Sequence, residues 1–200
     1  MYTIINCQSP QYTKWQVYNI YRCTPLSGAG NNVCLYFPFL SPFIPPKLNK
    51  TAIFPGSFDP FTVGHASIVE RGLPMFDRIV IGVGVNDKKR SFYTPEQRVE
   101  AIRQVYVNEP RIKVVAYTDL TIDLARREGA DFILRGLRSV KDFEYERDIA
   151  AMNKRLAGVE TVMLFTEAHY SDISSSVVRE LIAYGKDVSS FLPKPAPRKE

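Results

Sequence analysis

The chain has 200 residues, enough for one domain with an appendage, and its 45% hydrophobic and 24% charged residues are ordinary for a globular fold. The net charge of +5 belongs mostly to one end. Residues 1–50 hold Lys14, Arg22, Lys47 and Lys50 with no acid, leaving 22 basic against 21 acidic residues in the rest, which argues against a nucleic-acid-binding face. Cys7, Cys23 and Cys34 all precede residue 50 without C-x-x-C spacing, so neither a disulfide framework nor a zinc site is indicated. No run of about 18 apolar residues offers a membrane-spanning helix.

Residues 1–50 show no period of 2 or 3.6, and Pro38, Pro42, Pro45 and Pro46 break their most apolar stretch. The segment reads as neither a signal peptide nor, being poor in Arg and Ser, a transit peptide. It is expected to be an irregular N-terminal extension, or an artefact of start-site choice with initiation at Leu48, since no Met lies between Met1 and Met75. The domain proper is then 51–200.

From Thr51 short apolar runs alternate with amphipathic stretches, the pattern of α/β folds with parallel sheets. A first strand is predicted at Thr51–Phe54. The turn after it, Pro55 to His65, carries Gly56 and Gly64 where a ligand can approach the backbone, with Ser57, Thr62 and His65 as side-chain donors. It opens a helix from about Gly64 to Phe76, whose free amides favour an anion. The second strand, Ile79–Val85, is nearly all apolar, as a strand covered on both faces requires.

Asn86-Asp-Lys-Lys-Arg90 follows at that strand's carboxyl end, where Lys88, Lys89 and Arg90 could meet phosphate or simply face solvent. Thr94-Pro-Glu-Gln97 combines an N-cap, Pro at the first helical position and a capping-box Gln. A third strand is expected at Ile112–Ala116 and a fourth at Asp131–Leu134. Arg135-Gly-Leu-Arg138 comes next, two guanidinium forks suited to phosphate oxygens. Ser139-x-x-Asp142 starts a long helix that Gly158 stops. After a fifth strand, Thr161–Phe165, Ser174, Ser175 and Ser176 begin a last helix to about Tyr184, with more hydroxyls than capping needs.

Five strands and the helices between them give an α/β fold, a Rossmann-like doubly wound sheet of five parallel strands with helices on both faces. G-x-G-x-x-G is absent, so the dinucleotide fingerprint does not apply. In such sheets ligands lie beyond the carboxyl ends of the strands, and all the phosphate-suited groups named above fall there.

Two blocks carry a resemblance. Thr62-Val-Gly-His65, preceded by Gly56-Ser-Phe-Asp-Pro60, resembles the [TH]-x-G-H motif of the nucleotidyltransferase superfamily. Arg135-Gly-Leu-Arg138 with Asp142-Phe-Glu-Tyr-Glu146, followed by Ile173-Ser-Ser-Ser176, is similar to phosphopantetheine adenylyltransferases of the bacterial type. The likeness runs in order from about Thr51 to Pro193, and residues 1–50 have no counterpart. It implies transfer of the adenylyl group of ATP to 4′-phosphopantetheine, giving dephospho-coenzyme A and pyrophosphate in coenzyme A biosynthesis.

The resemblance also assigns residues. His65, Lys89 and Ser57 would be catalytic. Gly56, Ser57, Phe58, Gly64, His65, Arg138, Glu146, Ser174, Ser175, Ser176 and Arg179 would bind ATP. Ser57, Lys89, Asp119, Leu120, Thr121, Arg135 and Asn153 would bind phosphopantetheine. Mg²⁺ would ride on the ATP phosphates with no direct protein ligand. A cytoplasmic homohexamer binding neither nucleic acid nor membrane is implied. His169, where the family commonly has an aromatic, is expected to be structural or to line the rim.

Two other readings stand beside this one. Another nucleotidylyltransferase of the superfamily, acting for example on nicotinate mononucleotide, would share [TH]-x-G-H but not Arg135-Gly-Leu-Arg138 with the DFEYE block. A non-catalytic nucleotide-binding module would have no need of an acceptor-phosphate site such as His65, Lys89 and Arg135 provide.

Overall fold

A computed structural model describes residues 50–86 and 90–197. The chain divides after Leu48, and the unit described is the second. The expected leader and Lys89 lie outside the described residues.

Five strands, β1 (Thr51–Gly56), β2 (Arg78–Gly84), β3 (Ile112–Tyr117), β4 (Phe132–Leu137) and β5 (Glu160–Phe165), alternate with helices α1 (Val63–Gly72), α2 (Pro95–Val105), α3 (Thr121–Glu128) and α4 (Val140–Ala157); α5 (Ser175–Ala183) follows the last strand. Every strand pair is parallel and the order is β3-β2-β1-β4-β5. The order reverses between β1 and β4, and such a reversal opens a crevice at the strands' carboxyl ends.

Strand alternation sends successive side chains to opposite faces. Ala52, Phe54, Ile79, Ile81 and Leu134 join Ile68 and Val69 of α1 and Val99 and Ile102 of α2. Ile53, Val80 and Ile133 join Leu124 and Ala125 of α3 and Val159. Both faces are therefore covered, and each large aliphatic side chain so buried stabilises the fold by about 1.5–3 kcal/mol. Three glycines allow the layers to close. A Cβ at Gly82 would lie 2.5 Å from Cδ2 of Leu124, one at Gly136 would lie 2.9 Å from Cγ1 of Ile68, and one at Gly72 would lie 2.9 Å from Cδ2 of Leu134.

Boundaries differ from the sequence reading in instructive ways. Helix α1 stops at Gly72, not near Phe76, because the amide of Met75 turns back to the Gly72 carbonyl. Strand β4 continues through Arg135, Gly136 and Leu137, pairing with Met163, Leu164 and Phe165, so Arg135 stands on the strand and not after it. Helix α3 was not anticipated. It has eight residues, lacks a side-chain cap at Leu120 and buries only Ile122, Leu124 and Ala125, too short a stripe to declare a period; it ends at Gly129, whose φ of 61° is the left-handed conformation of a helix stop.

Two helix starts follow the sequence signals. The Thr94 hydroxyl accepts from the Gln97 amide while the Gln97 side chain accepts from the Thr94 amide, and the Ser139 hydroxyl accepts from the Asp142 amide. Helix α4 has 18 residues yet buries only Glu146, leaving Val140, Tyr145, Met152 and Leu156 exposed, as is Phe165 of the edge strand β5. Among the described residues no helix is long and apolar enough to cross a membrane.

Candidate active site

The chain leaves β1 at the crevice and makes a tight turn before α1. Phe58 adopts φ 47°, a left-handed conformation that costs a non-glycine residue energy and marks sites where the surroundings enforce it. What enforces it is burial: the Phe58 ring folds back over Gly56, where a Cβ would stand 2.7 Å from the ring, and packs on Phe54 and Phe61 at centroid distances of 5.2 and 5.3 Å. Phe58 is thus buried and leaves only its backbone open to a ligand, whereas the side chain of Ser57 is exposed at the crevice.

His65 stands behind this turn at the third residue of α1. Its ring lies flat against Phe61 and edge-on to Phe58, at centroid distances of 5.5 and 5.2 Å. Its Nδ1 is 3.0 Å from the Thr62 amide and 2.9 Å from the Thr62 hydroxyl. An amide can only donate, so Nδ1 is the acceptor and the ring's one proton sits on Nε2. Burial, and then the charges of Arg138 and Arg135, bring the pKa of His65 down to about 4. At neutral pH the site therefore offers a neutral imidazole with one N–H donor.

Arg135 reaches the same place from β4. Its Nε donates to Glu146 Oε2 at 2.8 Å, its Nη2 bonds the other carboxylate oxygen, and its Nη1 donates to the Pro55 carbonyl at 2.6 Å. Glu146, 8% exposed, is the one buried residue of α4 and fixes the orientation of the fork. Two of the guanidinium's five N–H groups remain for a ligand anion. Arg138 is more exposed and is loosely held by Asp142, whose carboxylate accepts its amide at 3.1 Å.

The start of α5 closes the crevice. Ser174 caps the helix through the Val177 amide at 3.2 Å; Ser175 donates to the Pro60 carbonyl at 2.8 Å; Arg179 donates to the Asp59 carbonyl at 2.6 Å and to the Ser176 hydroxyl at 3.1 Å. Gly64 rests against Tyr170, in a short 3₁₀ turn at Ala168–Tyr170. His169 in that turn is exposed, 3.9 Å between ring centroids from Tyr170.

The turn from Pro55 to Thr62 thus collects Ser57, His65, Arg135, Arg138, Glu146, Ser174, Ser175, Ser176 and Arg179. Asp119, Leu120 and Thr121 stand apart at the end of β3, two strands away and so about 10 Å from β1. There Asp119 is paired with Arg127 at 2.5 Å, which lowers the carboxyl pKa, and an open hollow runs between Ala116, Thr118 and Arg127. Asn153, half-buried, lies two turns beyond Glu146 on α4 and shares its stripe. Lys89 lies outside the described residues.

Two participants escaped the sequence reading. Asp59, 7% exposed, accepts the amides of Phe92 and Tyr93 at 2.7 and 2.9 Å. Arg98, 5% exposed on α2, donates to the carbonyls of Ser57 and Gly84 at 2.6 and 3.1 Å. Asp before Pro in a glycine-bearing turn is a signal of local hydrogen bonding; nothing about Arg98 distinguishes it from the other charges of an amphipathic helix.

Comparison with known proteins decides the family. The cytidylyltransferase-like family model matches residues 53–181. The phosphopantetheine adenylyltransferase of Bacteroides fragilis is 56% identical over 145 residues, 72% of this chain and 97% of that one. Those of Phocaeicola vulgatus and Flavobacterium psychrophilum are 54% and 49% identical over 72% of this chain and 96% of theirs.

The chain belongs to the phosphopantetheine adenylyltransferase family. It is accordingly a nucleotidyltransferase with a Rossmann-like fold. A solved structure, the bifunctional NMN adenylyltransferase/ADP ribose pyrophosphatase of Francisella tularensis with AMP and a manganese ion, superposes with a TM-score of 0.56 at 14% identity over 75% of this chain. The chain spans 46% of that protein, and the likeness is one of fold.

Proposed function

We propose that this phosphopantetheine adenylyltransferase-family domain joins the adenylyl group of ATP to 4′-phosphopantetheine at the crevice between β1 and β4, releasing pyrophosphate and dephospho-coenzyme A. The observation that carries the reading is the meeting of a neutral His65 N–H donor with Arg135 and Arg138 at one strand-end turn. That set suits two phosphate-bearing substrates and supplies no side-chain nucleophile. None is needed, because a phosphate oxygen of the acceptor attacks the α-phosphorus: a new P–O bond forms as the bond to the β-phosphate breaks, and pyrophosphate departs.

Catalysis then consists of positioning two anions and stabilising the charge that spreads between them. His65 through Nε2–H, the exposed Ser57 and Lys89 would surround the α-phosphate. Arg135 would hold the acceptor phosphate with its two remaining donors. Ser174, Ser175, Ser176 and Arg179 would hold the leaving pyrophosphate, and Arg138, Glu146 and the backbone of Gly56, Phe58 and Gly64 would border the nucleotide. Asp119, Leu120, Thr121 and Asn153 would line the pantetheine arm; the place of the first three, about 10 Å from β1, suits the arm and not the reacting phosphate.

Mg²⁺ would neutralise the leaving phosphates. Among the described residues no cluster of His, Cys, Asp or Glu is gathered to hold an ion, and the hydroxyls, amides and guanidiniums of the crevice are partners for phosphate oxygens, so the ion would be carried by ATP. The exposed apolar side chains of α4 and β5 support burial between copies in a homohexamer, and a cytoplasmic location goes with this activity.

ATP labelled at the α-phosphorus tests the reading. The label should appear in the acceptor product and not in pyrophosphate, and its transfer should slow by about two to three decades in His65→Ala. Label in free AMP alone, or undiminished transfer in a folded His65→Ala protein, would contradict it.

A further inference from the structure

The turn after β1 has an ordered pattern of acceptors. The carbonyls of three alternate residues, Pro55, Ser57 and Asp59, each receive Nη1 of an arginine at 2.6 Å, and the three arginines come from three elements: Arg135 from β4, Arg98 from α2 and Arg179 from α5. Two of these are already candidates for substrate contact. Arg98 differs, because at 5% exposure it cannot reach a substrate.

We infer that Arg98 is a positioning residue of the adenylyl-transfer site, acting through the Ser57 carbonyl and through a charge buried behind the crevice. The inference rests on the activity proposed above. Three observations carry it. The same Nη1 spans the Ser57 carbonyl at the end of β1 and the Gly84 carbonyl at the end of β2, so one side chain sets the spacing of the two strand ends. Ser57 itself is exposed while Phe58, Asp59 and Pro60 beyond it are buried, so a group that fixes its backbone fixes where its hydroxyl is presented.

The third observation is electrostatic. Among the described residues Arg98 has no carboxylate within ion-pair distance, and its Nε is buried without a hydrogen-bond partner. Burying an arginine against carbonyl dipoles alone is costly for stability, and a domain that sought only cohesion would do better with an apolar side chain there. The retained charge adds positive potential beneath the turn where two anions meet, in surroundings where charge acts strongly. Asp59 complements it from the other end: its carboxylate holds the Phe92 and Tyr93 amides, so the connection from β2 to α2 is tied to the same turn at Gly84 and again at Phe92–Tyr93.

Because Arg98 touches neither substrate, its loss should act on the transition state more than on binding. The experiment measures steady-state kinetics of the full chain with ATP and 4′-phosphopantetheine for the wild type, Arg98→Lys and Arg98→Met, with circular dichroism to fix the folded fraction of each. An inactive wild type would refute the activity itself, before any variant is compared. With an active wild type, Arg98→Met should lose about a hundredfold in kcat and Arg98→Lys, which keeps the charge on a shorter reach, about tenfold, with KM for both substrates within about threefold. A kcat per folded molecule within twofold of wild type in either variant would overturn the inference, as would a rise in KM at unchanged kcat. Should Arg98→Met not fold, Arg98→Lys decides by the same limits.

Discussion

His65 illustrates how neighbours select one chemical form of a side chain. The Thr62 amide takes Nδ1, the aromatic box of Phe54, Phe58 and Phe61 removes water, and Arg135 and Arg138 add repulsion for a second proton. The ring can therefore donate from Nε2 without gaining charge. The same shift has a sign for stability. With a folded pKa of about 4 against an ordinary 6.5, the unfolded chain binds a proton at His65 that the folded chain refuses between those values. Stability should fall as pH drops through that window and be level in this respect above it. Thermal unfolding of the wild type should therefore weaken more steeply from pH 6.5 to 4 than that of His65→Gln; parallel profiles would contradict the shift. The motif around His65 was legible as a phosphate-suited turn, but its tautomer was not, since that depends on the Thr62 amide pointing at Nδ1.

At the scale of elements, the parallel sheet and its helices were read from the apolar runs of β1 and β2 and the capping signals at Thr94 and Ser139, all of which are local. What escaped depends on tertiary contact. Helix α3 is held by Gly82, whose missing side chain lets Leu124 settle on the sheet, and no window of sequence around 121–128 contains that fact. The extension of β4 through Arg135 depends on pairing with β5, and Arg98 owes its importance to carbonyls 41 and 14 residues away. Gly136 tests this layer directly. Alanine there would put a Cβ 2.9 Å from Cγ1 of Ile68, displacing α1 and the turn it follows. Gly136→Ala should be destabilised by about 1–3 kcal/mol in chemical denaturation; a change under about 0.5 kcal/mol would mean that α1 moves freely against β4.

For the whole molecule, the order β3-β2-β1-β4-β5 puts the ends of β1 and β4 side by side, and every phosphate-suited group that the sequence placed after β1, β4 and β5 arrives at that point. Strand order was not in the sequence, so the convergence of Arg135 and Arg179 on one turn could only be expected from the family likeness. The most direct measurement mixes the purified chain with ATP, Mg²⁺ and 4′-phosphopantetheine and quantifies pyrophosphate and dephospho-coenzyme A together. The two should appear in equal amounts, and neither should form when nicotinate mononucleotide replaces the acceptor; bound ATP with no product, or turnover of nicotinate mononucleotide in its place, would contradict the account.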